Sequence, residues 1–238
     1  PAAGYARAMA ALRIDVWSDL ACPWCYIGKR RLEAALARAP RAVEVVWRSF
    51  ELDPDAPAVR DDGQSYAQRL AAKYRRSTAE AEAMIANVTA VAARDGLEFR
   101  FERARAGNTF DAHRVLHLAA AHGRQGVLKE RLLRAYFTDG RALGDHATLI
   151  ELAVEVGLDG DDVRATLAGD AYAAAVRADE RGARELGISG VPFFVLDGRI
   201  GVSGAQPVEV LVGALAEADP ANADPVEAAE ACGPAGCA

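Results

Sequence analysis

Residues Leu12 to Cys25 read Leu-Arg-Ile-Asp-Val-Trp-Ser-Asp-Leu-Ala-Cys-Pro-Trp-Cys, and they join a strand pattern to a closely spaced pair of cysteines. Bulky and charged side chains alternate from Leu12 to Val16, which predicts a strand. Apolar side chains then recur at helical spacing as far as Leu36, and Pro40 is expected to end this helix. The cysteine pair therefore lies where a strand passes into a helix.

The next segment completes a β-α-β unit. Val43 to Phe50 is rich in β-branched and aromatic residues and predicts a second strand. Because strands joined by a crossover helix run in the same direction when they pair, we expect a parallel pair here.

The pattern then becomes helical from residue 51 to residue 169. Amphipathic segments alternate with glycines or short polar turns, which predicts a large all-helical insertion. Ser77 and Glu80 have the spacing of a capping box at the start of one helix. The predicted helices are Ser65 to Arg76, Thr78 to Arg94, Thr109 to Ala121, Gln125 to Phe137, Ala147 to Val156 and Asp161 to Leu167.

After the insertion, the chain is expected to return to the sheet. The pattern predicts a helix from Ala171 to Leu186, strands from Val191 to Leu196 and from Arg199 to Val202, and a helix from Pro207 to Ala218. The sequence therefore predicts an α/β fold with an inserted helical domain.

These elements divide the chain into three parts. Residues 11–50 and 170–218 are expected to form one α/β domain, and residues 51–169 a helical domain inserted into it. Residues 219–238 are rich in alanine, proline and aspartate, and we expect them to form a flexible tail that carries Cys232 and Cys237.

The composition excludes several classes of function. The 238 residues carry 28 basic and 34 acidic side chains, and a net charge of -6 disfavours nucleic acid as a partner. No run of about 18 apolar residues is present, so no membrane span is predicted. Four cysteines are too few for a disulfide scaffold of this size. We expect a cytoplasmic protein, monomeric or homodimeric.

The position of Cys22 and Cys25 predicts redox chemistry. At a helix N-terminus, free N–H groups and the helix dipole stabilise a thiolate, so Cys22 is expected to be an exposed nucleophile with a lowered pKa. Cys25 lies one turn later and is expected to resolve the mixed disulfide. Pro23 suits the first helical turn, and Trp24 is expected to offer an exposed contact surface to a substrate. A zinc ribbon built from two cysteine pairs and an inert buried pair are the alternatives.

Three motifs, taken in this order, resemble the DsbA-like branch of the thioredoxin superfamily, and most closely the FrnE-like proteins. They are Cys22-Pro-Trp-Cys25, Asn108-Thr-Phe-Asp-Ala-His-Arg114 and Gly187-Ile-Ser-Gly-Val-Pro-Phe-Phe194. The same group includes the 2-hydroxychromene-2-carboxylate isomerases and the kappa-class glutathione transferases. The resemblance implies a thioredoxin-like fold, with a central mixed sheet flanked by helices.

The resemblance also implies a site and an activity. Val191 and Pro192 would be joined by a cis peptide bond that faces the cysteines, leaving the Val191 backbone free to pair with an extended substrate. Asn108 and His113 become candidates for the lining of the cleft. The expected function is thiol–disulfide exchange with protein or small-thiol substrates.

Other functions remain open at this point. One alternative is a glutathione-dependent isomerase or transferase of small aromatic substrates of the polyketide or chromene type; another is a peptide-binding module without catalysis. Glutathione is considered as a co-substrate, and neither another cofactor nor a metal site is predicted. Cys232 and Cys237 are either a second redox pair, an incidental disulfide or free thiols.

One position departs from the pattern of thioredoxin-like enzymes. These enzymes often carry a buried acid six residues before the nucleophile, where it accepts the proton of the resolving cysteine. Val16 occupies that position here, and strand alternation directs Asp15 to the opposite face. Water or Asp19 is left as the proton acceptor.

Overall fold

One mixed sheet forms the centre of the structure. The computed structural model describes residues 11–219, and within them the strand order is β2-β1-β3-β4. Strand β1 is parallel to β2 and antiparallel to β3, which is antiparallel to β4. The strands are β1 (Leu12–Ser18), β2 (Val43–Ser49), β3 (Phe193–Leu196) and β4 (Ile200–Ser203). The predicted parallel pair and the closing hairpin are confirmed.

Nine α-helices occur in the described range. They are α1 (Pro23–Leu36), α2 (Tyr66–Tyr74), α3 (Thr78–Arg94), α4 (Phe110–Ala121), α5 (Gln125–Arg134), α6 (His146–Glu155), α7 (Gly160–Ala168), α8 (Ala173–Glu185) and α9 (Val208–Ala218). Helices α2 to α7 all lie in the stretch for which the pattern predicts helices. Between residues 11 and 219, no helix has the length and apolar character needed to cross a bilayer.

The helix ends show where local sequence decides the structure. The Ser77–Glu80 capping box is present, and α3 begins at Thr78 as predicted. Helix α5 was expected to reach Phe137, but it ends at Arg134 because the backbone widens into a π-helical turn over Ala135–Asp139. Gly140 closes this turn in the left-handed conformation, with φ +72°.

Two apolar clusters meet beside the cysteines. One lies between the sheet and helices α1 and α9, and includes Ile14, Val16 and Leu32. The other lies among helices α3 to α7, and Tyr26 and Ile27 of α1 belong to it. Because α1 contributes side chains to both clusters, its first turn is held at the boundary between sheet and helical layer.

Candidate active site

The cysteine pair lies on the first turn of α1. Cys22 is the N-cap residue with extended backbone (φ -98°, ψ 112°), and Pro23 follows at the first helical position. The Cys25 N–H donates to the Cys22 carbonyl at 3.0 Å, which brings the two residues onto one turn. Both side chains are free thiols, so the structure holds the pair in its reduced form.

The exposure of these side chains differs from the expectation for Cys22. The Cys22 side chain is 4% exposed, so the prediction of an exposed nucleophile is wrong. The reason is tertiary: the segment Ser189–Val191 lies beside it, and the Cys22 Sγ is 3.5 Å from the Val191 carbonyl oxygen. Cys25 is fully buried, whereas Trp24 is 39% exposed, in the open position predicted for it.

The acidity of Cys22 also differs from the expectation. Two effects raise the pKa of the Cys22 thiol well above its ordinary value. The larger is the hydrogen bond with Cys25, and the second is the burial of the side chain. The nearby Asp19 carboxylate acts in the same direction, because it disfavours a second negative charge. The helix N-terminus was expected to lower this pKa, and in the dithiol the burial and the partner thiol outweigh it.

Val191 and Pro192 face the cysteines from the other end of the sequence. The Val191–Pro192 peptide bond is cis in the structure. Helix α1 approaches this segment closely, since a Cβ atom placed on Gly28 would lie 2.8 Å from Pro192 Cγ. Glycine at position 28 therefore allows α1 to pack directly against Pro192.

A cleft of about 790 Å³ opens beside the pair. Its walls come from the redox turn, from the segment Ser189–Val191 and from the helical layer, including Tyr66, Arg69 and Tyr136. The candidates Asn108 and His113 do not line it; Asn108 Nδ2 donates to Glu51 and to Pro54, and His113 is buried. Their neighbours Gly107 and Thr109 supply that part of the wall.

Asp19 lies behind the redox turn as a buried and fully engaged carboxylate. It accepts hydrogen bonds from Leu52 N at 2.7 Å, Leu20 N at 2.6 Å and Thr109 Oγ1 at 2.9 Å. Burial would raise the pKa of Asp19, but His113 Nε2 at 3.6 Å and these hydrogen bonds lower it below its usual range. An ionised carboxylate whose oxygens are occupied is a poor acceptor for a further proton.

Comparison with known proteins agrees with this arrangement. The model of the DSBA-like thioredoxin domain matches residues 13–216. The chain belongs to the DsbA-like thioredoxin family. Membership covers the sheet, the cysteine turn and the inserted helices alike, so the fold predicted from the sequence is confirmed.

Individual relatives place the chain within this family. The crystal structure of a probable DsbA oxidoreductase from Streptomyces coelicolor is 51% identical, with a TM-score of 0.83, covering 95% of this chain and 98% of the other. The uncharacterized protein YwbO of Bacillus subtilis is 27% identical over 87% of this chain and 96% of its own length. A 2-hydroxychromene-2-carboxylate isomerase shares the fold at 13% identity and a TM-score of 0.64, covering 86% of this chain and 95% of the other.

One buried charge behind the redox helix could not be recognised from the sequence. Lys129 of α5 is fully buried, whereas the sequence pattern predicts only an amphipathic helix there. A signal was present: Leu132 and Leu133 follow at i+3 and i+4, which puts the lysine on the buried face of the helix.

The two histidines of α4 have carboxylate partners. His117 Nε2 lies 3.0 Å from Asp179 Oδ2, and His113 faces Asp19. Their i, i+4 spacing therefore serves two separate contacts, one with the segment that follows β1 and one with α8. Cys232 and Cys237 lie outside the described residues, so the alternatives for that pair stand as they were.

Proposed function

We propose that this chain is a thiol–disulfide oxidoreductase that reduces disulfides of protein or small-thiol substrates through Cys22 and Cys25. Membership of the DsbA-like family and the 51% identical relative support an oxidoreductase role. One observation carries the residue assignment: two free thiols share the first turn of α1 at the edge of a cleft.

The chemistry follows from the order of the two thiols. Cys22 loses its proton to solvent, and its thiolate attacks one sulfur of the substrate disulfide, releasing the other sulfur as a thiolate that takes up a proton. The Cys25 thiol then loses its proton and attacks the Cys22 sulfur. A Cys22–Cys25 disulfide forms and the second substrate thiolate leaves, so the substrate gains two electrons and the enzyme loses them.

The raised pKa of Cys22 supports the direction of exchange. Strong oxidants of this kind are oxidising because their reduced form is stabilised as a thiolate. Cys22 lacks that stabilisation, since its hydrogen bond with Cys25 and its burial favour the protonated thiol. We propose that the pair donates electrons, and that two molecules of glutathione, oxidised to their disulfide, return it to the dithiol. This role fits a cytoplasmic protein.

Substrates would enter through the cleft. The Val191 carbonyl lies beside the Cys22 sulfur, where the backbone of an extended disulfide substrate can pair with it. Trp24 at the rim offers a large apolar contact that does not depend on the substrate's sequence.

A second candidate function is a glutathione-dependent isomerase of small aromatic molecules. The aromatic side chains Tyr66, Phe101 and Tyr136 in the wall of the cleft favour it. Such an enzyme activates glutathione and has no need of a second thiol. If the protein is such an isomerase, the Cys25→Ser variant should isomerise a chromene substrate as fast as the parent protein does. This outcome would favour the isomerase over the reductase.

Serine substitutions test the reductase directly. Cys22→Ser removes the attacking sulfur, so glutathione-dependent reduction of insulin should fall to the uncatalysed rate. Cys25→Ser keeps the attacking sulfur and removes the resolving one, so a mixed disulfide of Cys22 with glutathione should accumulate and be visible by mass spectrometry. Activity that survives Cys22→Ser contradicts the assignment.

A further inference from the structure

Helix α5 lies directly against the redox helix α1. Tyr26 Oη of α1 donates to Glu130 at 2.7 Å, and Lys29 and Arg30 of the same helix pair with Glu130 at 2.5 and 2.7 Å. These contacts fix the rotation of α5. The preceding residue, Lys129, then projects towards the interior, between the helix and the sheet.

The Lys129 ammonium lies against the end of β1 that leads into the redox turn. It is fully buried, and its Nζ donates to the Ser18 carbonyl at 3.4 Å and lies 5.5 Å from the centre of the Trp47 ring. Ser18 and Trp47 belong to the adjacent strands β1 and β2, and Trp47 pairs with Val16. Lys129 therefore lies close to Val16, the strand position at which thioredoxin-like enzymes often carry a buried acid.

The groups that face Lys129 come from three parts of the fold. Cys25, Asp19 and Cys22 favour the positive charge on Lys129. Lys29 disfavours this charge, and so does His113 of α4. Burial lowers the pKa of Lys129 to about 8, so the side chain still carries its charge at neutral pH. An ammonium held near two thiols and an engaged carboxylate is poised to respond to charge on the thiols.

We propose that the Lys129 ammonium stabilises the thiolate that forms on Cys25 when this residue loses its proton to attack the Cys22 sulfur. This inference rests on the reductase function proposed above. The proton leaves to solvent, the Cys22–Cys25 bond forms, and the substrate thiolate departs, while Lys129 keeps its own proton throughout. Lys129, which belongs to one of the inserted helices, is thus a positioning residue. It acts on Cys25 through its charge and does not itself react.

The experiment follows the resolving step as a function of pH. A single addition of glutathione disulfide to the reduced enzyme forms the mixed disulfide, and its decay gives the rate of resolution. An opposite charge near a thiol shifts its ionisation by about one to three pH units. In Lys129→Met we therefore expect the rise of the rate with pH to move up by about one unit, with resolution at pH 7 about tenfold slower.

Two further variants separate charge from other effects. Lys129→Gln keeps a donor for the Ser18 carbonyl but loses the charge, so it should behave like Lys129→Met. Arg134→Met removes an exposed positive charge at the end of the same helix, where Arg134 lies 3.9 Å from Asp139. It should leave the pH profile of resolution where it is in the parent protein.

The outcomes distinguish this inference from the proposed function. If the resolution rate of both Lys129 variants, or of Lys129→Gln alone, depends on pH as it does in the parent protein, the role of the charge is overturned. The proposed reductase function would stand. A parent protein that forms no mixed disulfide with glutathione disulfide overturns the reductase and, with it, the inference. A shift in both Lys129 variants and none in Arg134→Met supports the proposal.

Discussion

At position 129 the chain buries a lysine among leucines, where an apolar side chain of similar length would fit. Within the part of the chain that the structure describes, its Nζ donates one long hydrogen bond, to the Ser18 carbonyl, and its burial lowers its pKa from 10.5 to about 8. A buried cation held in this way destabilises the folded state. A cost in stability of this kind is common where activity needs a group that stability alone would not favour, which agrees with a role for Lys129 in the reaction.

Lys129→Met is therefore expected to stabilise the protein while it slows resolution. Because the folded-state pKa lies below the unfolded value, the cost of burying the charge is complete below pH 8 and is relieved as the pH rises from 8 to 10.5. The gain in free energy of unfolding should be about 3 kcal/mol at pH 7 and should shrink towards pH 10.5. Urea denaturation of both proteins at several pH values measures it, and a less stable variant at pH 7 would contradict this.

At the scale of elements, what could be predicted depends on how local the cause is. Helix α3 begins where Ser77 and Glu80 predict, because the capping box acts within four residues. The π-helical turn after Arg134 was not predictable, because Phe137 is fixed by distant contacts, among them its stacking on Phe99 and its carbonyl's bond from Arg100 N.

The candidate site divides in the same way. Its chemistry was readable from Cys22 and Cys25, because a short spacing at a strand-to-helix junction is a local property. The shielding of Cys22 from solvent could not be predicted, since the carbonyl that lies beside its sulfur belongs to Val191, which is distant in the sequence. Lys129 was missed for a similar reason: the sequence shows a buried face on α5 but not what lies under it.

The contact between α1 and Pro192 can be tested with glycines. In a helix interior, alanine is favoured over glycine by about 1 kcal/mol. At Gly28 the added Cβ would meet Pro192 Cγ at 2.8 Å, and overpacking of this kind costs about 1–3 kcal/mol, so we expect Gly28→Ala to lower stability and reductase activity.

Gly213 of α9 provides the matched control. A Cβ at that position meets nothing within 4 Å, so Gly213→Ala should raise stability by up to about 1 kcal/mol and leave activity unchanged. Thermal unfolding of the two variants compares them directly. Equal stabilisation by both substitutions would show that α1 does not pack tightly on Pro192.

At the scale of the molecule, Glu51 joins parts that are distant in sequence. It follows β2 and contacts Arg177 of α8 at 2.6 Å, while Asn108, which precedes α4, donates to its other oxygen at 3.1 Å. Burial and then a hydrogen bond with Glu180 raise the pKa of Glu51 to about 7. The sheet, α8 and the inserted helices thus meet at a carboxyl group that gains a proton near neutral pH.

The raised pKa of Glu51 makes the stability of the protein depend on pH. Because the folded-state pKa lies above the unfolded value of 4.5, the contribution of Glu51 is present below pH 4.5 and is lost as the pH rises to about 7 and beyond. Glu51→Gln should therefore be more stable than the parent at pH 8 by roughly 1–2 kcal/mol, after allowance for solvent screening, with no gain at pH 4.5. Urea denaturation at both pH values measures the difference, and an equal effect at both would contradict the assignment.

The narrow access to Cys22 affects chemical damage as well as turnover. Peroxides and alkylating reagents attack thiolates that solvent reaches, and at Cys22 both exposure and ionisation are low. A disulfide substrate differs from these reagents because its backbone can take the place of the Cys22 contact on the Val191 carbonyl and so uncover the sulfur. The resting enzyme should therefore resist irreversible oxidation and become reactive mainly towards molecules that first dock as substrates do.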